Sequence, residues 1–314
     1  MNLKTIVRAS IIMLLCSLAG RWGSISAAEV SSRGQTSEEL SFLVIGDWGM
    51  GTPGQRSAAN GMAKVAGTHR PRFIVSAGDN FYPRGVQSVQ DPLWSERFER
   101  IYDAPALQIP WYAALGNHDH GGSIQAQIDY SRESARWRMP AAYYAVSFKV
   151  SDATAAEFFI LDSMQFLDSS LASKQLEWLE EKLRASTAQW LIVVGHHPIY
   201  TASRPYREPS LEMLRRLQPL LEKYRVVAYI AGHDHDLQHI RPKRQTVEYF
   251  ISGAGGGTRP VGRYEDSVFG YSDTTGFMLG RITRDTFEIT FFNDNGTELY
   301  RTTMTDKRAA QPVR

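Results

Sequence analysis

One cysteine occurs in 314 residues, Cys16, and it falls inside the N-terminal leader. A chain without it forms no disulfide and offers no thiolate to a metal, so neither a disulfide scaffold nor a sulfur-ligated zinc or iron–sulfur site fits. Long apolar runs are scarce too. Ile11 to Leu18 is the apolar centre of a segment with Lys4 and Arg8 before it and Ser26-Ala27-Ala28 after it, too short to span a bilayer. Residues 1–28 are therefore expected to be a secretory signal, with export out of the cell or into a periplasm and no stable membrane anchor. Leu15 before Cys16 is not the small residue a lipidation site needs.

Excess charge is the third absence. The formal net charge is +2, but Lys4, Arg8 and Arg21 belong to the leader, so 35 basic side chains become 32 against 33 acidic ones. A balance of −1 gives no basic patch for nucleic acid or an anionic membrane. Internal repeats and low-complexity stretches are missing as well. The 43% hydrophobic content and the length are enough for one large α/β domain. It is expected over 41–305, after a polar lead-in at 29–40 and before a flexible tail at 306–314.

Histidine, by contrast, is concentrated. Seven of the eight, all but His69, lie in three groups: His118 and His120, His196 and His197, and His233, His235 and His239. Five apolar runs each end in glycine and a metal-capable residue: FLVIGDWG (42–49), FIVSAGDNFY (73–82), WYAALGNHDH (111–120), WLIVVGHHPIY (190–200) and VVAYIAGHDH (226–235). A buried strand followed by a glycine turn releases the chain at the strand's C-terminal edge, where open α/β sheets bind their ligands. Asp47, Asp79, Tyr82, Asn117, His196, His233 and His235 make an oxygen-and-nitrogen donor set suited to iron, manganese or zinc.

Between the corners, helices are expected at 54–67, at 92–101 with Asp91 as cap, from Ser123 to about 134, at 171–185 and at 210–223. Strands are expected at 41–45, 73–77, 111–115, 143–150, 157–162, 190–194 and 226–231, then strands alone at 247–252, 276–282, 286–292 and 297–302. Asp294-Asn295-Gly296 reads as a hairpin turn, which accounts for these residues better than the glycosylation signal that Asn295-Gly296-Thr297 also spells. Parallel βαβ units followed by strands favour a four-layer α/β/β/α sandwich. Gly253–Gly257 reads as a tight turn rather than a phosphate loop. Asp119 and His120 are expected to orient the ligand loop. Trp48 fits a lid or the core, and Asp236, Gln238 and His239 fit a cleft wall or the surface.

In the order GDWG, GDNFY, GNHD, GHHP and GHDH, the five corners resemble the metal-binding blocks of the metallophosphoesterases. The tyrosine of the second block narrows the resemblance to the purple acid phosphatases, of the small tartrate-resistant kind; GHDHDLQ (232–238) supports it. The resemblance implies an iron(III) site from Asp47, Asp79, Tyr82 and His235 and a divalent site, for iron, zinc or manganese, from Asn117, His196 and His233, with Asp79 bridging. It implies an acid phosphatase that hydrolyses small phosphate monoesters by attack of a metal-held hydroxide, with His118 facing the substrate as proton donor or phosphate ligand. A monomer is expected. Two departures stand out. No histidine occurs between Thr201 and Glu208 where small members carry one, which leaves Arg204, Tyr206 and Arg207 as candidate helpers. The stretch from Asp162 to Ser173 is short where animal relatives carry a long exposed loop, so activation by proteolysis is not expected.

Overall fold

The computed structural model describes residues 29–31, 38–203, 210–263 and 265–305. The leader, most of the lead-in, the tail, and Arg204, Tyr206 and Arg207 lie outside the described residues. Among the described residues no helix is long and apolar enough to cross a membrane.

Two mixed sheets lie face to face. In chain order the strands are β1 (Glu29–Ser31), β2 (Leu40–Ile45), β3 (Phe73–Ser76), β4 (Trp111–Ala113), β5 (Trp137–Arg138), β6 (Tyr144–Lys149), β7 (Ala155–Ile160), β8 (Trp190–Val194), β9 (Ala228–Ala231), β10 (Leu237–Ile240), β11 (Glu248–Ser252), β12 (Ser267–Tyr271), β13 (Gly276–Ile282), β14 (Thr286–Asn293) and β15 (Glu298–Thr305). The seven-stranded sheet runs β15-β14-β13-β2-β3-β4-β5, the eight-stranded sheet β1-β6-β7-β8-β9-β11-β10-β12. β2 to β5 are parallel, as are β7, β8, β9 and β11. Parallel neighbours end on one side, so the glycine corners after β2, β3, β4, β8 and β9 collect at one rim.

β2, β3, β8 and β9 are buried along their whole length and form the centre, since both their faces are covered. Phe42 of one sheet meets Phe158 of the other edge-on at 5.0 Å and lies parallel to Phe73 at 5.3 Å. On the outer face of the eight-stranded sheet lie α3 (Ser169–Ala185) and α4 (Ser210–Lys223). Their Leu179, Leu183, Met213, Leu217 and Leu221 pack with Val193, Tyr229 and Ile251. On the other sheet lies α1 (Pro53–His69), through Ala58, Met62 and Val65. The expected α/β/β/α order is thus the observed one.

Several elements differ from expectation. α1 runs through its glycines because Gly61 is a contact point: a Cβ there would lie 2.5 Å from the Asp294 carbonyl in the β14–β15 turn. The 92–101 segment begins as expected, Asp91 accepting from the Leu93 amide at 3.0 Å, but Trp94–Glu99 is π-helical. Gln55 Nε2 donates to the Arg97 carbonyl at 2.7 Å, and Trp94 and Phe98, four residues apart on one face, are both buried in the core. The helix after Ser123, α2, is shorter (Ile124–Asp129) and passes into a 3-10 turn at Tyr130–Arg132. β10 and β12 were not expected: Gln238 and His239 interrupt the apolar pattern of the first, and the second alternates half-buried and exposed residues at a sheet edge. Trp48 is core, fully buried, with its indole N–H on Ser76 Oγ at 2.8 Å. A short 3-10 turn, Ser163–Leu167, fills the compact connection before α3.

Candidate metal centre

Each corner turns on a glycine, and at three of them the next residue lies in left-handed backbone: Asp47 (φ 56°), Asp79 (φ 52°) and His233 (φ 70°). Such conformations cost about 1–3 kcal/mol each in a non-glycine residue and persist where the surroundings impose them. The glycines are there because nothing larger fits. At Gly116 a Cβ would stand 2.2 Å from Asp79 Oδ1, and at Gly78 (φ 90°) it would stand 2.7 Å from His196 Nδ1.

The seven side chains expected to hold metal converge as two groups. Tyr82 Oη lies 3.1 Å from Asp47 Oδ1, 2.9 Å from Asp79 Oδ2 and 3.2 Å from His235 Nε2. Asn117 Oδ1 lies 3.2 Å from His196 Nε2 and 3.0 Å from His233 Nδ1, and the two ring nitrogens are 3.3 Å apart. Asp79 stands between the groups: Oδ2 faces Tyr82, while Oδ1 is 3.4 Å from His196 Nε2. The seven-stranded sheet supplies Asp47, Asp79, Tyr82 and Asn117, and the eight-stranded sheet supplies the imidazoles. Backbone bonds sew the sheets together here, from Gly46 N to Ser252 O (2.7 Å) and from Gly255 N to Gly46 O (3.1 Å). The 253–257 turn is therefore a packing element: a Cβ on Gly253 would lie 2.9 Å from Asp47 Oδ2.

These groups fit cations better than they fit one another. The Tyr82 hydroxyl has one proton to give and an oxygen of each of two carboxylates beside it, so with both ionised one carboxylate oxygen faces the phenol oxygen with no hydrogen between. The Ala77 carbonyl accepts from His196 Nδ1 at 2.9 Å, which leaves Nε2 of the neutral ring as a bare lone pair aimed at Asn117 Oδ1. Asp47 and His196 are fully buried. Burial pushes the Asp47 carboxyl well up. For Asp79 burial acts the same way, but the charge of His196 beside it outweighs burial and holds it below the carboxylate range. Burial opposes protonation of His196, yet the charges of Asp79 and Asp47 push it up to about 10. Burial, Asp47 and Asp79 all push the Tyr82 phenol up, so a phenolate forms here only against a cation. A buried cluster of anions and lone pairs that draws positive charge onto a histidine is one that metal ions would satisfy.

His118 stands beside the donors rather than among them. Its ring is one-third exposed, Nδ1 donates to the Pro83 carbonyl at 2.6 Å, and Nε2 is 3.9 Å from Asp79 Oδ2. Asp119, fully buried, accepts from the amides of Gly116 (2.8 Å), Asn80 (3.0 Å) and Phe81 (3.2 Å) and from Gln127 Nε2 (2.9 Å), tying the Asp79 corner to the Asn117 corner. Burial, with the Asp79 charge, pushes it up to about 6. His120 bonds Asp162 Oδ1 at 2.9 Å and so joins the two sheets. Asp236 and Gln238 are buried among polar partners, and His239 lies between Glu248 and Tyr300, so none of the three is surface.

Sequence reading passed over Ser163, whose hydroxyl accepts from the amides of His196 (3.2 Å) and His197 (3.0 Å) and meets His197 Nδ1 at 2.7 Å. His197 lies close enough to His196 and His233 to share an ion with them. Burial and the neighbouring imidazoles push it well down, and Ser163 occupies its Nδ1. A lone serine outside any motif carries no signal in one sequence.

Comparison with known proteins accords with this geometry. Residues 40–237 match the family described as calcineurin-like phosphoesterase. Purple acid phosphatase 4 of Arabidopsis thaliana is 36% identical, over 96% of this chain and 93% of that protein. Tartrate-resistant acid phosphatase type 5 of Oryctolagus cuniculus is 35% identical over 86% and 92%. A solved structure described as GAP50, the anchor in the inner membrane complex of Plasmodium, superposes with a TM-score of 0.78 at 28% identity, over 86% of this chain and 89% of the other. With five corners in order, the donor sets together at one rim and these likenesses over most of its length, the chain belongs to the calcineurin-like phosphoesterases, within the purple and tartrate-resistant acid phosphatases.

Proposed function

We propose that this protein is an acid phosphatase, hydrolysing small phosphate monoesters at a dinuclear centre of iron(III) and one divalent ion, iron, zinc or manganese. Asp47, Asp79, Tyr82 and His235 would hold the iron; Asn117, His196 and His233 would hold the divalent ion, with Asp79 shared. One neighbour in fold is named for anchoring, so the fold alone does not carry this reading. What carries it is the Tyr82 hydroxyl within 3.2 Å of two carboxylates and an imidazole, beside a second group of neutral donors. Anionic oxygens suit a trivalent ion, and an amide with two imidazoles suits a divalent one.

When bound, such a pair supplies Lewis-acid charge and acidifies water more strongly than a divalent ion alone. The rate optimum is accordingly expected below pH ~7, and an optimum above pH ~8 counts against iron(III). His118 works from the open side. The Pro83 carbonyl holds the Nδ1 proton and fixes the ring's aim, so Nε2 faces the leaving oxygen and, when the ring is the imidazolium, is the atom that gives it a proton, leaving the neutral ring protonated on Nδ1. His118→Asn is expected to slow alkyl phosphates roughly 10–100-fold more than p-nitrophenyl phosphate, because nitrophenolate needs little protonation. Equal losses for both esters would assign His118 to phosphate positioning instead.

Comparing p-nitrophenyl phosphate with its bis ester tests the reaction class. Faster turnover of the monoester is expected; a preference for the diester would favour a phosphodiesterase with an Fe/Mn or di-Mn site, and turnover of neither would favour a metal-binding or redox-active iron protein. Export is proposed from the leader, and N-terminal sequencing of the secreted or periplasmic protein should begin near residue 29.

A further inference from the structure

The fifth corner carries two kinds of side chain in alternation, and they face different parts of the molecule. His233 and His235 meet Asn117, His196, Tyr82 and Asp47 at the centre. Asp234, Asp236 and Gln238 meet the segment that leaves the fourth corner. The Thr201 hydroxyl donates to Asp234 Oδ2 and the Ser203 hydroxyl to Asp236 Oδ2. Gln238 Oε1 accepts from the Ala202 amide at 2.9 Å, and its Nε2 reaches Ser203 Oγ and Asp236 Oδ1, each at 2.8 Å. Thr201 Oγ also accepts from the Ser203 amide at 3.0 Å. Asp234, Asp236 and Gln238 are 2%, 0% and 1% exposed, so these bonds are shielded from competing water.

The bonds add a side-chain tie between two corners already joined by backbone bonds from Gly232 N to His196 O (3.0 Å) and from Gly195 N to Ile230 O (3.0 Å). Thr201 follows His196 by five residues, and Asp234 sits between the two imidazoles of the fifth corner. His233 is held in left-handed backbone, so its direction depends on what restrains the residues after it. Backbone bonds continue the restraint, from Gly253 N to Asp236 O (3.0 Å) and from Arg259 N to His235 O (2.8 Å).

We propose that Thr201, Ser203, Asp234, Asp236 and Gln238 form a clamp of positioning residues that fixes the aim of His233 and His235 relative to His196, and so sets how tightly both metal ions are held. This rests on the ligand assignment proposed above. Partners that orient metal-binding imidazoles typically account for 10–100-fold in affinity. Replacing a ligand other than the shared Asp79 would weaken one site, whereas loosening the clamp would weaken both together.

The test uses the full-length protein with Thr201→Val and Ser203→Ala, singly and combined; each removes a hydroxyl and touches none of the proposed donors. Affinities for iron and for zinc are read by competition with a chelator, and melting temperatures are read in parallel on the metal-free proteins. The combined variant is expected to bind both ions about 10–100-fold more weakly, with Thr201→Ser close to wild type. If the combined variant fails to fold, Ser203→Ala alone, at the less buried end of the clamp, is expected to show a smaller loss at both sites. Metal affinities unchanged beside a lowered melting temperature would reduce the clamp to a structural role and overturn the proposal. A wild-type protein that binds neither ion would overturn the proposed function itself and the clamp with it.

Discussion

His196→Ala is expected to slow phosphomonoester turnover roughly a thousandfold, and excess divalent metal is expected to restore part of the loss. The estimate follows from the task assigned to the ring: Lewis-acid charge on a phosphoryl oxygen is worth several kcal/mol, and about 1.4 kcal/mol is a decade in rate. His196 is fully buried, with Nδ1 bonded to the Ala77 carbonyl and Nε2 3.2 Å from Asn117 Oδ1, and the nearby His197 has its Nδ1 taken up by Ser163 at 2.7 Å. The four groups proposed for iron stay intact. Added divalent ion therefore acts by mass action on the weakened site alone. Near-normal turnover by this variant without added metal would remove His196 from the centre.

Tyr82→Phe has the second large effect, and it is visible. A phenolate bound to iron(III) transfers charge to the metal and absorbs visible light, so the iron-loaded wild type should be pink to violet and the variant colourless. The substitution deletes one oxygen and keeps the ring, which sits 4.2 Å from the His118 ring, while neighbouring Phe81 already fills the core against Trp94 at 4.5 Å. The fold should therefore survive. Iron should be held less firmly, since an anionic donor is lost from among Asp47, Asp79 and His235. A variant that kept the colour would contradict the tyrosinate, and so would an iron-loaded wild type with no visible band.

The convergence of the candidate donors is legible because each corner joins two strong signals, an apolar run that must be buried and a glycine followed by a residue no core would choose. Parallel order then brings the corners to one rim, so Asp47 and His235 meet although 188 positions separate them. Signals that depend on a distant partner were not legible. Gln55 donates to the Arg97 carbonyl within the π-helical turn, and nothing near residue 97 announces it. β10 is laced with Gln238 and His239, whose partners Ser203 and Tyr300 lie 35 and 61 positions away. The left-handed backbone of Asp47, Asp79 and His233 follows from packing between the sheets, where Gly46, Gly78 and Gly232 let chains approach closely. Trp48 was ambiguous for the opposite reason: beside a metal-site motif, a core tryptophan looks the same as a lid.

Metal analysis of the purified, iron- and zinc-supplied wild-type protein by mass spectrometry tests the central claim most directly. The account predicts two metal ions per chain, one of them iron, both retained through dialysis. A chain that retains none, or a single ion indifferent to the loss of His196 or of Tyr82, would contradict it.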